Sequence, residues 1–118
     1  ILYDLVGGEP DGLFIYAEVK RGWIFPSAFK DYGDRVKYLV HGHELTDKIY
    51  EAWLSEEPDK RWRTMKYSVV DGRFLAEFQY PGEIDEAETP EDRRERVLQE
   101  RYGNKLVVYP GIEEFTLD

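Results

Sequence analysis

WRTMKYSVVDGRFLAEFQYPGEIDEAETPEDRRERVLQERY, residues Trp62 to Tyr102, decides the fold. Asp71-Gly72 sits between two alternating apolar runs and is the strongest short hairpin signal, because a type I′ turn needs positive φ at both central residues. A two-residue turn sets the register: Val70 faces Arg73, Val69 faces Phe74, Tyr67 faces Ala76, Lys66 faces Glu77 and Met65 faces Phe78. Alternation then gathers Met65, Tyr67, Val69, Phe74, Ala76, Phe78 and Tyr80 on one side, which is expected to be core. The other side carries Lys66, Ser68, Arg73, Glu77 and Gln79 and is expected to face solvent, with Lys66 and Glu77 paired for about a few tenths of a kcal/mol.

A capped helix closes the stretch. Thr89 is the N-cap, Pro90 the first helical residue, and Glu91 and Asp92 favour the positive end of the dipole. Gly103 stops it. Val97, Leu98, Arg101 and Tyr102 supply a narrow apolar stripe, and Arg93, Arg94, Glu95, Arg96 and Glu100 the exposed face. The apolar side of the hairpin is the expected seat of this helix.

Working outward, LFIYAEVK (Leu13 to Lys20) and WIFPSAF (Trp23 to Phe29) read as a second hairpin joined by Arg21-Gly22, with Pro26 forcing a bulge or an edge position. RVKYLV (Arg35 to Val40) is a third short strand. Leu45, Ile49 and Trp53 recur at four-residue spacing and predict a helix from His43 to Ser55. LVVY (Leu106 to Tyr109) is a short strand candidate, IEEFTLD a tail, and Ile1 to Val6 the end of an incoming helix. The segregated strands and helices predict a single α+β domain over residues 1–118, with an antiparallel sheet of about five strands, two hairpins plus one strand, packed against helices.

The 118 residues suffice for one core. No cysteine is present, which excludes a disulfide framework and a Cys nucleophile and fits a reducing compartment. No apolar run reaches the length of a membrane span and no signal-peptide pattern opens the chain, so a cytoplasmic location is expected. A net charge of −9 argues against nucleic acid or an anionic membrane as partner and favours a basic protein. Glu83, Asp85, Glu86, Glu88, Glu91 and Asp92 concentrate that charge in ten residues free of Lys and Arg. With Tyr80 beside them, and Trp62 and Tyr109 as further aromatic candidates, they form a candidate partner-binding surface; the plain alternative is a solvated loop that charges a helix N-terminus.

Catalytic signatures are sparse. His41-Gly42-His43 with Glu44 or Asp47 offers a weak metal-site pattern, and Glu18-Val19-Lys20 with Asp4 or Asp11 resembles the acid and lysine spacing of metal-dependent nucleases. No phosphate loop, nucleophile elbow or HExxH helix is present, so no catalytic residue, metal or cofactor is assigned.

The order Trp62, Met65-Lys66-Tyr67, Asp71-Gly72-Arg73-Phe74, Phe78-Gln79-Tyr80, Glu91 to Arg96 and Arg101-Tyr102-Gly103 resembles the YezG-like immunity proteins of bacterial polymorphic toxin systems. The likeness runs from about Leu13 to Gly103 and includes Tyr16 to Val19. It implies an α+β fold, an N-terminal helix ending at Ile1 to Val6, no catalytic residues, and binding of a cognate toxin, often a nuclease, in the producing cell. The expected function is therefore toxin neutralisation through the acidic connector. The alternatives are a small metal-dependent hydrolase built on Glu18, Lys20, His41 and His43, or an adaptor module of a larger complex.

Overall fold

The computed structural model describes residues 9–109. The expected helix end at Ile1 to Val6 and the tail Ile112 to Asp118 lie outside them. The chain runs β1 (Leu13–Lys20), β2 (Trp23–Asp31), β3 (Arg35–Leu39), α1 (His43–Ser55), a 3-10 turn (Pro58–Lys60), β4 (Thr64–Val70), β5 (Arg73–Gln79), α2 (Pro90–Tyr102) and β6 (Leu106–Val108). Among the described residues the strands form one sheet of six, ordered β5-β4-β1-β2-β3-β6. All neighbours are antiparallel except β3 and β6, which are parallel. The sheet has one strand more than the five expected, because Leu106–Val108 extends it beyond β3.

The Asp71-Gly72 hairpin has the expected register from Val70↔Arg73 to Met65↔Phe78, and both turn residues have positive φ. The burial of its apolar side differs from expectation. β4 pairs with β1, so β5 lies at the edge, where every one of its residues is exposed. On the expected core face only Val69 is buried, while Met65 and Tyr67 are partly covered. Phe74, Phe78 and Tyr80 are exposed. On the opposite face, Ser68 is buried rather than solvated.

The strand at the centre is β1. Its first seven residues are all buried, because both faces of the sheet are covered there. Leu13, Ile15, Ala17 and Val19 meet Leu45, Ile49 and Trp53 of α1, with Trp62 and Val69 beside them. Phe14 and Tyr16 meet Val97 and Leu98 of α2, with Phe29 and Val36. Burying each such large side chain is worth about 1.5–3 kcal/mol. Thus α2 does not lie on the apolar side of the β4–β5 hairpin; that side belongs to α1, and α2 takes the other face. The Trp53 indole N–H donates to the Trp62 carbonyl at 2.7 Å, tying α1 to the entry of β4.

Pro26 produces no bulge, since β1 and β2 pair residue for residue from Leu13↔Lys30 to Lys20↔Trp23. It occupies a local edge instead: pairing with β3 reaches only Ala28↔Leu39. The helix signals hold. Thr89 accepts from the Asp92 N–H at 3.0 Å, and Gly103, at φ 60°, closes α2 by donating to the Gln99 carbonyl at 2.9 Å. Among the described residues no helix is long and apolar enough to cross a membrane.

Candidate functional site

A buried cluster of charge lies beneath the acidic connector. Glu18 is the sole carboxylate in β1, and alternation along the strand points it to the α2 side with Phe14 and Tyr16. It is 0 % exposed. Arg93, one turn into α2, reaches it with Nε at 2.8 Å and Nη2 at 2.7 Å. Arg63, just ahead of β4, adds Nη1 at 3.1 Å, and the Tyr16 hydroxyl donates at 2.6 Å. Arg93 is therefore buried, 2 % exposed, and not on the helix's solvent face as its spacing suggested. Burial alone would push the Glu18 carboxyl up, but hydrogen bonds from Arg93 and Tyr16 and the charges of Arg93 and Arg63 hold it below its ordinary value. Burial and the adjacent Glu18 carboxylate raise the Tyr16 hydroxyl.

The same arginines hold the connector in place. Arg93 Nη1 donates to the Asp85 carbonyl at 2.7 Å and to the Glu88 carbonyl at 2.6 Å. Arg63 grips the Glu86 carboxylate through Nε at 3.0 Å and Nη2 at 3.2 Å, and Arg96 pairs with Glu88. Within the loop, Glu83 accepts from the Tyr80 N–H at 2.7 Å and Asp85 from the Ala87 N–H at 2.9 Å. A segment without a cation in its own sequence is thus braced by three arginines from outside it. Glu83, Asp85, Glu91 and Asp92 remain exposed, and among the described residues no cation pairs with them.

The structure brings five of the seven candidate residues into this braced loop: Glu83, Asp85, Glu86 and Glu88, with Tyr80 at its start. Glu91 and Asp92 follow on the first turn of α2. Glu86 and Glu88 are internal ion-pair partners, so the surface open to a partner is narrower than the six carboxylates suggested. Of the aromatic candidates, Tyr80 is exposed, Trp62 is buried in the α1 core, and Tyr109 packs against Phe29 and Tyr38.

Glu18, the acid of the hydrolase pattern, has its carboxylate taken up by two guanidiniums and a hydroxyl, which leaves no lone pair aimed at a substrate. Lys20 and His43 are exposed, and His41 Nδ1 lies 3.4 Å from the Gly42 carbonyl. Among the described residues no three His, Asp or Glu side chains converge as metal ligands. The Glu18 cluster went unread in the sequence, although a lone carboxylate in an otherwise apolar strand, with an arginine-rich helix short of apolar residues, is the signal for it.

No family model matches the chain, and neither a curated protein nor a solved structure matches it.

Proposed function

We propose that the chain is an immunity protein that binds and neutralises a cognate toxin domain, a basic nuclease, by covering its active site or substrate groove in the cytoplasm of the producing cell. The observation that carries the reading is the arginine-braced connector. A loop pinned at two carbonyls and two carboxylates presents its remaining acids without having to be ordered on binding, which lowers the entropic cost of a complex. Clustered carboxylates speed encounter with a basic surface and match the charge that a nuclease uses for phosphates. The net charge of −9 keeps the chain itself away from nucleic acid. The role needs no catalytic residue.

The test is co-expression with the large open reading frame that neighbours this chain's own, scored by toxicity of that product alone and rescue of growth, followed by binding kinetics. Glu91 and Asp92 are the residues to reverse to Lys. Glu83, Asp85, Glu86 and Glu88 are poor choices, because reversing them breaks the bonds to the Tyr80 and Ala87 N–H groups, to Arg63 and to Arg96 that shape the loop. The double variant should slow association by at least about tenfold at low salt. An unchanged association rate would remove this surface from the reading, and failure of the wild-type chain to rescue growth would remove the function.

A further inference from the structure

The outer edge of β5 is unpaired among the described residues, and its sequence is complementary to itself. In an antiparallel ladder N–H and C=O groups point alternately towards and away from the neighbour. The two-residue turn bonds Arg73 to Val70, so Leu75 and Glu77 also point towards β4, while Phe74, Ala76 and Phe78 direct their backbone groups outward. The Val69 carbonyl agrees, since it faces the other way and accepts from Gly12. A row of free backbone groups beside side chains as exposed as Phe74 at 63 % and Leu75 at 56 % is a template for another strand.

Charge selects the occupant. From Thr64 to Gln79 the hairpin carries Lys66, Arg73, Asp71 and Glu77, a neutral balance in a chain of net charge −9. A basic partner finds no excess of carboxylates here. A second copy does find complementarity. When two β5 strands run antiparallel about a twofold axis at Leu75, each Arg73 faces the partner's Glu77, Leu75 faces the partner's Leu75, and Phe74 faces the partner's Ala76. This register also brings the outward groups of Phe74 and Ala76 into bonding pairs.

We propose that β5 is a self-association edge, through which two copies join their sheets into one twelve-stranded sheet. The proposal does not depend on the toxin-binding reading, which uses the connector. An edge pairing of this length is a small interface, below about 1,200 Å² in total, and dissociation in the micromolar range is expected.

Sedimentation equilibrium on the whole chain tests it with Arg73→Glu, Glu77→Arg and their equimolar mixture. The wild type should dimerise. Each variant alone sets like charges opposite one another twice and should dimerise at least about tenfold more weakly, whereas the mixture restores both Arg–Glu pairs and should dimerise like the wild type. Thermal melting of each variant checks that these exposed changes leave the fold intact. Ala76→Pro removes an outward N–H but no bond to β4, and should also give a monomer. A wild type that stays monomeric up to millimolar concentration, or a mixture no better than its components, overturns the proposal. So does pairing of this edge only with a different protein.

Discussion

Replacing Glu18 with Gln removes one charge from a site that is closed to bulk solvent. The carboxylate receives four hydrogen bonds, from Arg93 twice, from Arg63 and from Tyr16. Glutamine keeps the shape, but it turns one acceptor into an NH2 that faces a guanidinium or the tyrosine hydroxyl. Arg93 then keeps its charge while buried, with only carbonyls opposite it. Breaking a buried pair from one side costs about 3–5 kcal/mol, a large share of the roughly 5–15 kcal/mol that holds a domain of this size together. The control is Glu88→Ala. Its pair with Arg96 is partly exposed, and its loss should cost less than about 1 kcal/mol. Urea unfolding followed by tryptophan fluorescence reads both, and the Glu18→Gln midpoint should fall far below that of Glu88→Ala with the slope unchanged. A Glu18→Gln loss below about 1 kcal/mol would refute the claim that this cluster carries uncompensated charge when broken.

Two further predictions follow from the same structure. The folded Glu18 carboxyl titrates below its ordinary value of 4.5, so its contribution is fully present above that value and is lost as pH falls through the lower folded one; stability of the wild type should drop more steeply below pH 4.5 than that of Glu18→Gln, and parallel curves would contradict the assignment. Gly12 sits at φ 90° with the Asp31 carbonyl oxygen 2.8 Å from where a Cβ would be, whereas Gly72, at φ 73°, has open space around it. Gly12→Ala should therefore cost clearly more than the roughly 1 kcal/mol expected of Gly72→Ala, and equal losses in a urea titration would show that the backbone yields there.

Local chemistry was legible where the residues responsible are close in sequence. Asp71-Gly72 determined a turn and hence every cross-strand pair of β4 and β5. Thr89, Pro90 and Gly103 determined both ends of α2, and the spacing of Leu45, Ile49 and Trp53 determined α1 and its buried stripe. The strand Leu13 to Lys20 was recognisable as well, and its apolar side chains at odd and even positions alike already carried the mark of a strand covered on both faces.

Which helix covers which face is decided by contacts across the whole chain, and periodicity within one element says nothing about them. The hairpin's apolar side fits α1 and α2 equally well as a pattern. Because β4 joins β1 and so exiles β5 to the edge, Phe74 and Phe78 are exposed despite their place in a core-like alternation. The acidic connector has the same lesson in charge: ten residues without a cation were read from the sequence, but Arg63, Arg93 and Arg96 reach them only in the folded chain. Sequence by itself determined the elements, their caps and the hairpin register, since these depend on backbone sterics and hydrogen bonds over a few residues. Only the tertiary structure decided the layer order, the free edge of β5 and the burial of Glu18 with Arg93, since those rest on partners as far apart as residues 18 and 93.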